Sequence, residues 1–73
     1  MSELLLLQPR TALIHARRAK KLTQEQLANR CDITRAYLAN IERGKHAPSL
    51  RTAFRIANVL DSTLEQLFST DRE

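Results

Sequence analysis

The 73-residue sequence holds one cysteine, one glycine, two prolines and no tryptophan, and only 4% of it is aromatic. Each scarcity closes an option. Cys31 alone forms no disulfide within the chain, and one thiol with two histidines falls short of a four-ligand zinc site. A lone thiol suits a reducing compartment. No apolar run approaches the ~20 residues that cross a bilayer. The run Leu4 to Leu7 follows Glu3 and lacks the length and basic flank of a secretory signal. The expected location is therefore cytoplasmic. No cofactor motif is present, and no glycine loop, paired acids or Ser/His/Asp or Cys/His arrangement suggests an enzyme.

What the sequence does contain is helix-forming residues and positive charge. Ala, Leu, Arg, Lys, Gln and Glu are abundant, and no period-2 segment argues for a sheet. A chain this short buries only about 60% of its unfolded surface, so its core is marginal without ideal local structure or a partner chain. Eleven of the twelve basic residues lie between Arg10 and Arg55, against three acids, Glu25, Asp32 and Glu42. After Arg55 come Asp61, Glu65, Asp71 and Glu73 against Arg72. A basic middle of that size favours a polyanionic partner; the plainer reading is a solvated surface.

Punctuation divides the chain into five helices. Pro9 fits a first turn, which predicts helix 1 from Pro9 to Lys20, with Leu13, Ala16 and Ile14 inward. Thr23 with Gln26 forms a capping box, so helix 2 follows and reaches about Cys31. Thr34 caps helix 3, which runs to about Arg43 before Gly44 supplies a left-handed stop. Pro48-Ser49 opens helix 4, with Leu50, Ala53, Phe54, Ala57 and Leu60 expected on its inner face. Thr63 with Gln66 reads as a second capping box before a short helix 5 bearing Leu64, Leu67 and Phe68. The expected fold is an all-α, compact five-helix bundle. Residues 1–8 form an apolar arm, 9–69 the domain and 70–73 an acidic tail.

Thr23 to Lys45 carries the function. Two helices joined by about three residues must cross closely, and Ala28 provides the small residue at the crossing. The turn needs a left-handed residue, which Asp32 supplies as one of the few non-glycine types that tolerate it. Leu27, Cys31, Ile33, Leu38 and Ile41 form the apolar wedge, which makes Cys31 a core residue. Arg35, Ala36, Asn40 and Arg43 are left on the outer face of helix 3. His15 and His46 read as ordinary surface positions.

These features resemble the lambda-repressor-like, or Cro/C1-type, helix-turn-helix family from about Leu13 to Phe68. The matching elements are Arg17, the start Leu22 to Ala28, Ile33-Thr34, Ile41 to Lys45, Pro48 to Leu50, and Ile56 to Leu60. The sequence departs from the pattern at Asp32, where the family usually has Gly, and at Ser62, where it usually has an apolar residue.

The resemblance implies that helices 2 and 3 form a helix-turn-helix, with helix 3 in the major groove. Arg35, Ala36 and Asn40 would then meet base edges, with Tyr37 either beside them or packed on helix 2. The chemistry agrees. Arg35 can donate twice to guanine, Asn40 can pair with adenine, and Ala36 can touch a thymine methyl. Thr23, Gln24, Thr34, Arg43 and Lys45 are expected at phosphates. An ion pair between Arg17 and Glu42 is expected to fix helix 3 against helix 1.

The expected function is a sequence-specific regulator of bacterial or phage type, most simply a nucleoid-associated repressor. It would bind near-palindromic double-stranded DNA as a homodimer, with half-sites about 10 base pairs apart. Helix 5 or the Leu4 to Leu7 arm could hold the dimer. The arm could also fold back on the core or take no fixed place. The alternatives are a protein-interaction module such as a toxin-binding antitoxin, or a restriction-modification controller.

Overall fold

A computed structural model describes residues 8–68. Of the predicted arm at 1–8 only Gln8 falls among them, and the predicted tail at 70–73 lies outside them. Five helices follow in order: α1 Thr11–Ala19, α2 Gln24–Arg30, α3 Arg35–Glu42, α4 Leu50–Val59 and α5 Leu64–Phe68. The all-helical bundle expected from the sequence is the observed fold. α1 packs on α3 and α5, α2 on α3 and α4, and α4 on α5. Leu13, Leu27, Cys31, Leu38, Ile41 and Ile56 are fully enclosed, and Leu22, Ala28, Ala57, Leu60 and Leu67 complete the core.

Each helix start has a local cause. Thr23 and Gln26 exchange both bonds of a capping box: the Thr23 hydroxyl accepts from the Gln26 N–H, and the Thr23 N–H donates to Gln26 Oε1. Thr34 accepts from the Tyr37 N–H and Ser49 from the Thr52 N–H, each at a helix N-cap. Such caps contribute about 1 kcal/mol each.

Four helix ends share one device. Lys21, Asp32, Gly44 and Asp61 all adopt positive φ, between 57° and 86°. The N–H after each of them reaches back five residues: Leu22 to the carbonyl of Arg17, Ile33 to Ala28, Lys45 to Asn40 and Ser62 to Ala57. This is the Schellman arrangement, which satisfies carbonyls that a helix end would otherwise orphan. It ordinarily adds an apolar contact from the residue after the left-handed one. Leu22 and Ile33 supply that contact to the core, whereas Ser62 has nothing apolar to offer. The two departures from the family pattern thus fall at successive points of the same kind of turn: Asp32 is the left-handed residue of its turn, and Ser62 follows the left-handed Asp61 of its own.

Three sequence expectations are corrected. α1 begins at Thr11 rather than Pro9, because Arg10 has the non-helical backbone of an N-cap and donates its own N–H to the Glu42 carbonyl. On α4 the buried stripe is Thr52, Ala53, Ile56, Ala57 and Leu60, while Leu50 and Phe54 remain 67% and 52% exposed. At about 100° per residue Phe54 lies outside that stripe, and Leu50 sits at its edge in the first turn. The second capping box forms only by half. Thr63 accepts from the Gln66 N–H, but Gln66 Oε1 accepts from the Ser62 hydroxyl instead of the Thr63 N–H.

Candidate nucleic-acid interface

α2 and α3 meet across the turn Cys31–Asp32–Ile33. Ala28, 1% exposed, belongs to the core cluster beneath them, where a larger side chain would have to displace its neighbours. Asp32 takes φ 61° at the turn. Its carboxylate lies 4.0 Å from Arg55 on the exposed surface, a contact too solvated to contribute much. Arg55 also donates to the Cys31 carbonyl. Burial pushes the Cys31 thiol above its ordinary value, with Arg55 opposing the shift, so the enclosed sulfur stays protonated and behaves as a core atom.

The outer side of α3 carries Arg35, Ala36 and Arg43 exposed, with Tyr37 and Asn40 half-buried. Positions 35, 36, 40 and 43 project within roughly 140° of one another about the helix axis, so a single surface presents all four. Tyr37 packs against the core and its ring lies 6.5 Å from that of His46. Thr23, Thr34 and Lys45 are exposed and Gln24 is half-buried.

Beneath this surface runs a continuous polar chain. Arg17 Nε donates to Glu42 Oε2 at 2.6 Å and its Nη2 to Oε1 at 3.2 Å. Arg17 Nη1 donates to the Leu22 carbonyl. Both side chains are buried, at 9% and 4% exposure. Gln24 Nε2 donates to the same Glu42 carboxylate at 3.0 Å, and Gln24 Oε1 accepts from Arg35 Nη1 at 3.2 Å. Because a carboxylate can only accept, Glu42 fixes which end of the Gln24 amide faces inward and leaves its oxygen outward for Arg35. The family resemblance brings Arg17 to Glu42, as the structure does. Sequence reasoning has no signal for Gln24 as the bridge, because an exposed-looking Gln at a helix start reads only as a phosphate contact. Arg17, Arg18, Thr23, Gln24, Glu25 and Arg35 together rim an open depression at this edge.

A second residue escaped sequence reasoning altogether. Arg10 Nη1 donates to the Ile41 carbonyl at 2.6 Å and to the His46 carbonyl at 2.9 Å. Its guanidinium lies 5.9 Å from the centre of the Phe68 ring. An arginine just before a helix carries no pattern that reveals such a role.

Leu50 and Phe54 lie exposed on α4, and Leu50 joins Arg10, Pro48, Leu64 and Phe68, among others, in lining a shallow groove. Of the three apolar residues expected on helix 5, Leu67 belongs to the core and only Leu64 and Phe68 reach the surface in part. Among the described residues no group of His, Cys, Asp or Glu could hold a metal ion, and no helix is long and apolar enough to cross a membrane.

Comparison with known proteins places this geometry in a family. The helix-turn-helix family model matches residues 13–67. An uncharacterized HTH-type transcriptional regulator of Archaeoglobus fulgidus is 38% identical over 64 residues, covering 88% of this chain and 90% of that protein. The immunity repressor of Bacillus phage phi105 is 48% identical over 44 residues, 60% of this chain and 31% of the repressor. Among solved structures, the restriction-modification controller protein C.AhdI of Aeromonas hydrophila superimposes with a TM-score of 0.76 at 35% identity, over 86% of this chain and 96% of that one. The relatives are DNA-binding regulators, not enzymes. With α2 and α3 as its two-helix element, the chain belongs to the helix-turn-helix family of DNA-binding transcriptional regulators.

Proposed function

We propose that this chain represses transcription by binding near-palindromic operators as a homodimer, with α3 in the major groove. Arg35, Ala36 and Asn40 read base edges, with Tyr37 beside them. Thr23, Thr34, Arg43 and Lys45 contact phosphates, and Gln24 does so through its backbone N–H at the start of α2, since its side-chain amide is engaged by Glu42 and Arg35. The observation that carries this reading is the exposed first turn of α3, where Arg35 stands in solvent with one guanidinium nitrogen already held by Gln24. The bond to Nη1 leaves the other edge of the guanidinium for guanine, and an arginine held in place loses less entropy when it binds. The ion pair of Arg17 with Glu42 seats α3 against α1 and keeps that turn in place.

A twofold dimer would use α5 with Leu64 and Phe68, or the Leu4 to Leu7 run. Likeness to C.AhdI over nearly that protein's whole length supports a controller role within the same class, and the neighbouring genes would decide it. The test of the reading is selection of bound DNA from a random pool at two salt concentrations. The expected product is a palindrome with a guanine under Arg35. A bound pool without a common sequence, and with only a steep salt dependence, would sink it.

A second reading rests on Leu50 and Phe54, which α4 leaves exposed. Large apolar side chains side by side in water favour a protein partner. A protein retained from cell extract after nuclease treatment, and lost in Phe54→Ser, would support that reading.

A further inference from the structure

The turn after α3 carries Lys45 and is held from two sides. From one side, the N–H groups of Lys45 and His46 both donate to the Asn40 carbonyl, at 2.9 and 3.3 Å. From the other, the His46 carbonyl accepts from Arg10 Nη1, which also takes the Ile41 carbonyl of the last turn of α3. The Arg10 N–H donates to the Glu42 carbonyl. One residue thus binds three consecutive features of the α3 terminus: two carbonyls of its final turn and one of the turn beyond. A guanidinium suits this place twice over, since it has several donors in a fixed fork and its charge opposes the negative end of the helix dipole. Its other face lies over Phe68, so α5 backs it.

We propose that Arg10 is a positioning residue for DNA binding: without touching DNA, it sets the turn that presents Lys45 to a phosphate. The inference rests on the reading of Lys45 as a phosphate contact. Arg10 holds the turn at the His46 carbonyl, one residue from Lys45, and α5 holds Arg10. A change at Phe68 therefore reaches the DNA-facing turn through a single side chain.

The experiment is a salt titration of DNA affinity for four forms: wild type, Arg10→Ala, Lys45→Ala and the double variant. Thermal melts fix a temperature at which all four are folded. Each phosphate contact contributes about 0.9 to the slope of log affinity against log salt. Lys45→Ala should lower the slope by about one. Arg10→Ala should lower it by up to the same amount, and the double variant by no more than Lys45→Ala alone. Phe68→Leu, which keeps the carbonyl bonds and removes the ring, should move the slope in the same direction by less.

An unchanged slope in Arg10→Ala would overturn the proposal and leave Arg10 a purely structural cap. A further fall of about one in the double variant would also overturn it, because Arg10 would then be a phosphate contact itself. If Lys45→Ala leaves the slope unchanged, the underlying reading of Lys45 fails, an outcome distinct from either of these.

Discussion

Glu42 is 3% exposed and receives the Arg17 guanidinium through both carboxylate oxygens. Two charges removed from water gain little over apolar residues of the same shape, but either one left alone is costly. Glu42→Ala strands a buried guanidinium and also removes the inner partner of Gln24. The expected loss is on the order of 3 kcal/mol, read as a lower midpoint in a chemical melt with an unchanged slope. An unchanged midpoint would mean that the pair does not hold α3.

The two turns flanking α3 should answer glycine chemistry in opposite ways. Asp32 has φ 61°, and its contact to Arg55 is exposed. Asp32→Gly relieves backbone strain and should stabilise by about 0.5 kcal/mol. Gly44 has φ 86°, and a Cβ there would collide with the Gln8 carbonyl oxygen. Gly44→Ala should cost well over 1 kcal/mol, because left-handed strain and the clash add. Thermal melts of the two variants should move in opposite directions.

Ser62 occupies the point in its turn that Leu22 and Ile33 fill with apolar side chains in theirs. Ser62→Val should add the missing contact and release Gln66 Oε1, which can then accept from the Thr63 N–H. A gain of about 1 kcal/mol would raise the melting temperature by roughly 4–8 °C in a domain of this size. A lower melting temperature would mean that the Ser62 hydroxyl bond to Gln66 matters more than the apolar contact.

Base reading and phosphate contact separate in mutants. Arg35→Ala should relax preference at one guanine per half-site and cost about 1–3 kcal/mol on the preferred operator. Arg43→Ala should weaken all sequences alike and reduce the salt slope by about one. Competition binding on operators that differ at single bases distinguishes the two. A uniform loss in Arg35→Ala would remove that residue from base reading.

The fold was largely legible because its signals are local. Thr23, Thr34 and Ser49 cap helices through bonds spanning three residues, and Gly44 ends one through its own φ. Sequence spacing records such relations directly. The left-handed backbone at Asp32 was legible for the same reason. The face of α4 was misjudged because Leu50 and Phe54 are as apolar as the residues that are buried. Only the position of α2 and α5 on the other side decides which apolar residues face them. Within the site, the roles of Gln24 and Arg10 depend on contacts 18 and 31 residues away in the chain. No periodicity encodes contacts at that distance.

Gly44 does more than end a helix, because its missing side chain is the notch through which Gln8 crosses. That crossing anchors the route by which the polypeptide enters the domain. A group attached at position 8 would therefore stand beside Gly44, between Arg43 and Lys45 in the chain. A label placed there would not be a neutral handle: a basic one would add its own attraction for DNA, and a bulky one would crowd the duplex. A dye attached at position 8 would instead serve as a proximity reporter, its emission changing as DNA binds.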